Sequence, residues 1–214
     1  MQSTLFYIHY PMCSWCYAFE KRLSALRQEL PEFIQVTNLV GGLAPDTTET
    51  MPESLQQTIQ QIWYRIEQTV SGVKFNYDFW TTNTPMRSTY PACRAVLAAK
   101  KQRNDAEELL MINVIQTAYY QQAKNPSLIA TLVECAVEIG LDVIQFENDI
   151  LSEQIQTQLL NEIEMAQNMG VTSYPSLRLL HNEKLSFVTV DYLNHKTMLD
   201  EITQHLGVDT EFVI

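Results

Sequence analysis

The sequence predicts an α/β protein: a small sheet built from the two ends of the chain, with a large all-helical insertion between its second and third strands. Three observations predict it. Leu5 to Tyr10 is an apolar run, followed by a helical pattern and then by a second strand-like run, Phe33 to Leu39. From Ser54 to about Met169 almost every periodic stretch has helical spacing. After Gly170 the alternation of strands returns.

The first strand ends at Pro11, and a helix follows Cys13. Trp15, Phe19, Leu23, Leu26 and Leu30 recur at three- and four-residue steps until Pro31 stops them. The second strand closes at Gly41-Gly42. Gly41 to Pro52 is loop-like. Leu55, Ile59, Ile62, Ile66 and Val70 form one face of the next helix, and Gly72 to Pro91 is a long aromatic connection. Ala92 to about Lys101 is an alanine-rich helix. Asp105 is placed as the N-cap of a helix running to about Gln122, and Asn125-Pro126 as cap and first position of another, closed by Gly140. A short helix around Phe146 and one from about Ser152 to Met169 complete the block. Ser176 to Leu180 and Leu185 to Val190 read as two strands joined by His181-Asn182-Glu183, before a last helix from His195 to Leu206. The expected organisation is a discontinuous domain, residues 1–50 and 170–214, around a helical domain at 53–169. Without the insertion the order is β-α-β then β-β-α, which is the thioredoxin plan.

A formal net charge of −11 argues against nucleic acid, because the chain would repel a phosphate backbone. No stretch has the ~20 consecutive apolar residues of a membrane helix. The first basic side chain is Lys21, and cleavage within the usual leader length would remove Cys13, so the expected location is cytoplasmic. In that compartment a close cysteine pair is catalytic or metal-binding rather than a structural disulfide.

Cys13-Ser14-Trp15-Cys16 stands where a loop meets a helix. There the first sulfur faces free backbone N–H groups and the positive end of the helix dipole, which favour a thiolate over the ordinary thiol of pKa ~8.5. Cys16, one turn further in, is expected to be buried and to resolve a mixed disulfide. Ser14 and Trp15 are expected to tune the pair. Zinc is disfavoured: the remaining cysteines, Cys93 and Cys135, stand alone, and the four histidines form no ligand pair. Cys93 and Cys135 fall in register with apolar neighbours and read as core. His9 reads as structural. Glu20, one turn beyond Cys16, is either a solvated charge or a proton relay. Tyr174-Pro175 opens the third strand, where a proline suits a strand start or a cis turn.

Cys13-Ser-Trp-Cys16-Tyr17-Ala-Phe19-Glu20 resembles the active-site helix of DsbA-family thiol oxidoreductases, and Tyr7-Ile-His-Tyr-Pro11-Met-Cys-Ser-Trp-Cys16 is similar to its signal-less, FrnE-like branch. Pro91-Ala-Cys93-Arg94-Ala-Val and Val171 to Pro175 resemble the branch's Ala-Cys-Arg-Ala helix start and cis-proline loop. The resemblance implies a thioredoxin-like fold and dithiol–disulfide exchange. In it Cys13 attacks, Cys16 resolves, and a substrate groove is framed by Tyr174, Pro175 and Trp15, with Trp80 as further lining. Tyr10 replaces an acidic residue common in the branch, Ser14-Trp15 replaces Pro-His, and Tyr174 replaces Val or Thr. The redox potential is therefore not inherited by analogy.

The expected substrates are protein or small-molecule thiols and disulfides. No cofactor is implied beyond the redox-active Cys13–Cys16 disulfide, with glutathione as an optional co-substrate. An alternative is a glutathione-dependent isomerase or transferase resembling 2-hydroxychromene-2-carboxylate isomerase or the kappa-class transferases, which carry Ser for the attacking Cys and lack a resolving one. A non-enzymatic alternative is a chaperone or adaptor that binds exposed chains in the same groove.

Overall fold

The computed structural model describes residues 3–103 and 105–207. β1 (Ser3–His9), α1 (Ser14–Glu29) and β2 (Ile34–Val40) form the first unit. β1 and β2 run parallel in the register Tyr7↔Asn38, so α1 must cross back over the sheet between them. β3 (Ser176–His181) pairs antiparallel with β1, and β4 (Lys184–Val188) antiparallel with β3. The sheet order is β2-β1-β3-β4. The β3–β4 hairpin turns on Asn182 and Glu183, both at positive φ, as a two-residue loop of matching twist requires.

One face of the sheet, Leu5, Tyr7, Leu177 and Leu179, packs on Phe19, Leu23 and Leu26 of α1 and on Met198 and Ile202 of α9 (His195–Leu206). The other face, Phe6, Ile8 and Leu39, meets Ala166 of α8 (Glu153–Asn168) and Met169, which caps its C-terminus. Between β2 and β3 lie α2 (Glu53–Thr69), the short α3 (Phe79–Thr82), α4 (Tyr90–Gln102), α5 (Asp105–Tyr120), α6 (Ile129–Glu138), α7 (Val143–Ile150) and α8. The all-helical insertion therefore stands where the sequence places it.

Its core is α4. Pro91 to Ala99 is buried on every side, and the small alanines let α5, α7 and α8 approach closely. Arg94, alone of that stretch in charge, forks onto both carboxylate oxygens of Asp46, each at 2.8 Å, and donates to Gln156 Oε1. A separate aromatic cluster centres on Trp63 of α2, with Phe75, Phe79, Tyr119 and Tyr120, and reaches Ala18 of α1.

Two local expectations fail. Asn125-Pro126 does not cap a helix. The Asn125 side chain accepts the Ser127 N–H and donates to Thr84 O, while the Ser127 hydroxyl donates to Ser88 O. These bonds tie the segment down as a turn, and α6 starts only at Ile129. The connection from Gly72 to Pro91 contains α3 and the start of α4, because its aromatic side chains fold onto Trp63. Asp105 opens α5, and its side chain lies outside the described residues.

Candidate active site

Cys13 is the residue that caps α1. Its backbone is extended (φ −85°, ψ 111°), which turns the side chain back over the first turn, and its sulfur accepts the Cys16 N–H at 3.1 Å. The cap is formed here by sulfur in place of the usual oxygen. The Cys13 thiol also donates to the Tyr174 carbonyl at 3.6 Å. Cys16 is fully buried. Burial pushes its thiol well above the ordinary value, reinforced by Cys13 and opposed by the Tyr10 backbone N–H and Tyr7. The two sulfurs thus occupy unlike surroundings: one at a helix end beside a cavity, the other in the apolar interior behind it.

The Tyr174–Pro175 bond is cis, as expected from the sequence. Pro175 is buried, and the Tyr174 hydroxyl donates to Gly41 O at 2.8 Å. The Tyr174 ring meets Tyr10 edge-on at 5.2 Å. Trp15 packs on Tyr192 at 4.7 Å. Trp15, Tyr174 and Pro175 do share one groove, a cavity of about 550 Å³ that continues along Arg178 and Phe187. The Arg178 guanidinium is already committed to Met169 O, Leu177 O and Gly170 O.

Cys13 and Ser14 open on a different cavity, of about 220 Å³, between the start of α1 and α2. Leu55, Ile59 and Ile62 line it and are only half-buried. Their helical stripe reads as ordinary core in the sequence, and no local signal separates a lining residue from a packing one. Trp80 lines neither cavity; its ring packs tilted against Trp63 at 5.0 Å, and Trp63 takes the place beside the opening. Glu20 is partly buried, and burial raises its carboxyl against the opposing pull of Arg27. It makes no hydrogen bond to either cysteine among the described residues.

Cys93 and Cys135 are buried in the helical core, with thiols pushed up to about 12 and about 11 by burial. His9 is fully buried and stacked on Tyr7 at 4.8 Å, with neither ring nitrogen hydrogen-bonded among the described residues. Among the described residues no three His, Cys, Asp or Glu side chains converge as metal ligands.

A family model described as thioredoxin matches residues 6–201, most of the chain. The chain belongs to the thioredoxin family. Within that family its fold is similar to a crystal structure from Nitrosomonas europaea provisionally named a protein disulfide isomerase. That structure is 24% identical at a TM-score of 0.82, covering 96% of this chain and 99% of that one. It also resembles the cytosolic disulfide reductase DsbM from Pseudomonas aeruginosa, at 23% identity and a TM-score of 0.71, with 95% and 97% covered. A DsbA structure from the same organism aligns at a TM-score of 0.59 and 15% identity over 96% of this chain and 85% of that one. By sequence, the ClpXP adapter protein SpxH of Halalkalibacterium halodurans is 24% identical over 170 residues, 78% of this chain. The chain spans just over half the length of these curated relatives.

Among the described residues no helix is long and apolar enough to cross a membrane.

Proposed function

We propose that the protein is a dithiol–disulfide oxidoreductase in which Cys13 and Cys16 form the working pair. One observation carries this reading. The Cys13 sulfur caps α1, accepts a backbone N–H and faces a cavity, while Cys16 waits directly behind it in the interior. In the reducing direction the Cys13 thiolate attacks a substrate disulfide and forms a mixed disulfide, releasing one substrate thiolate. Cys16 then loses its proton and attacks the Cys13 sulfur, releasing the second thiolate and closing Cys13–Cys16. Two electrons pass to the substrate; run backwards, the same steps oxidise a dithiol.

The Tyr174 carbonyl beside the sulfur is a natural acceptor for a backbone N–H of the substrate chain, with Pro175 and Trp15 forming its wall. A cytosolic setting is supported by the similarity to DsbM. The glutathione-dependent isomerase reading is weaker, since both cysteines are present and stand in register on one helix turn. Similarity to SpxH favours one second reading, an adaptor that uses the same face to hold a protein.

The test is capture. Cys16→Ser should accumulate disulfide-linked partners through Cys13, seen on non-reducing gels and lost when Cys13 is also replaced. Absence of any adduct under oxidising conditions refutes the exchange chemistry. A cysteine-free variant that retains full partner binding favours the adaptor.

A further inference from the structure

The cavity on which Cys13 opens is built unlike the groove beside Pro175. Leu55, Ile59, Ile62 and Trp63 of α2 line it, with Met51 from the loop that enters α2 and Met86 from the loop before α4. Those loops are held together by a single bridge, Thr50 to Met86, and by the Met51 N–H on Pro85 O. At about 220 Å³ the space is below the size of a drug-sized ligand pocket and suits one bulky side chain. Flexible methionines let such a wall adapt to Leu, Met or Phe. Arg87 lies on its lining and is exposed, with no hydrogen bond or ion pair among the described residues. It is an uncommitted cation on a chain of net charge −11.

Resting on the exchange reading above, we propose that this cavity is a specificity pocket for peptide substrates: it takes a bulky apolar side chain next to the substrate cysteine, and Arg87 takes a carboxylate beyond it. The cysteine of such a peptide must reach the Cys13 sulfur, which itself lies on the cavity wall, so a neighbouring residue is delivered into the pocket. Burying one such side chain is worth tenfold or more in apparent affinity. Glutathione has carboxylates but nothing to fill the apolar space, so the pocket discriminates against it.

The reduced protein, freed of reductant and in excess, is mixed with short peptides carrying cysteine as a disulfide with 2-nitro-5-thiobenzoate, whose release reports a single turnover. Four peptides are compared, with Leu or Gly beside the cysteine and Glu or Gln beyond it, together with glutathione carrying the same thiobenzoate disulfide. The Leu/Glu peptide should exceed the Gly/Gln peptide by about tenfold or more in the second-order rate constant of release. Leu55→Trp, which fills the space, should abolish the Leu preference, and Arg87→Ala the Glu preference. These are ratios within one variant, so partial unfolding would lower both rates and leave them intact. Equal rates for all four peptides and the glutathione adduct overturn the proposal while leaving exchange standing. A preference that persists in both variants also overturns it. No thiobenzoate release from any substrate overturns the exchange reading and the pocket together.

Discussion

The Tyr174 hydroxyl donates to the Gly41 carbonyl across 2.8 Å, so the residue before Pro175 is latched to the chain leaving β2. The latch needs Gly41 to be a glycine. A Cβ there would collide with Cε1 of the Tyr174 ring and stand 2.6 Å from Cζ. The ring cannot swing aside without losing its hydroxyl bond and its edge-on contact with Tyr10.

Gly41→Ala is therefore expected to destabilise the protein by about 1–3 kcal/mol, the usual cost of overpacking, and to slow exchange by displacing the Tyr174 carbonyl. Tyr174→Ala removes the clashing ring. In urea unfolding the double variant should lose clearly less than the sum of the two single losses. Strict additivity would show that the two residues do not press on each other.

The thiols should separate sharply in reactivity. Burial holds Cys16 well above its ordinary value, Cys93 near 12 and Cys135 near 11. At pH 8 a thiol titrating near 12 is ionised to about one part in ten thousand, and only the thiolate alkylates. With iodoacetamide, followed by peptide mass mapping, Cys13 should be labelled first, and Cys13→Ser should remove the fast phase. Fast modification of Cys93 or Cys135 in the folded protein would contradict this.

What was legible in the sequence was what local chemistry controls. The Cys13–Cys16 spacing at a helix start, the helix stop at Pro31 and the turn at Asn182-Glu183 depend on a few neighbouring residues. The cysteine cap and the cis bond at Pro175 were likewise readable. Tertiary choices were not. Leu55, Ile59 and Ile62 carry the same stripe whether they meet another helix or an open cavity. Asn125-Pro126 has the residues of a helix cap, but Thr84 and Ser88, some forty residues earlier in the chain, hold the segment as a turn. Trp80 and Trp63 look equally suited to line a site, and only the packing of α2 decides between them.

Arg94 and Asp46 should respond unequally to substitution. Arg94 is 8% exposed and holds Asp46 by both oxygens as well as Gln156, whereas the Asp46 side chain is 54% exposed. Arg94→Lys keeps the charge but cannot reproduce the planar fork, and should cost about 1–3 kcal/mol. Asp46→Asn breaks an ion pair whose acidic side is in water, and should cost no more than about 1 kcal/mol. Chemical unfolding of the two variants settles the order, and a larger loss for Asp46→Asn would reverse the argument.

His9 should make the fold acid-sensitive. Burial, with Arg27 and Lys100 adding repulsion, pushes its imidazole down to about 3 from an ordinary 6.5. Below pH 6.5 the unfolded chain takes up a proton that the folded chain refuses until about pH 3. The stabilisation is therefore complete above 6.5 and is lost as pH falls, at up to about 1.4 kcal/mol per unit. Glu20 and Glu162 oppose this, because their raised carboxyls hold protons more tightly when folded, but both stay in place in a His9 variant. The lowered carboxyls of Glu29 and Asp191 act at lower pH. His9→Phe keeps an aromatic ring against Tyr7 and removes two buried nitrogens that lack partners. It should match or exceed the wild type in stability at pH 7. Between pH 6.5 and 5 the wild type should lose about 2 kcal/mol more than the variant, read from urea midpoints at each pH. Parallel pH profiles for the two proteins would mean that His9 accepts its proton in the folded state and is not held neutral by burial.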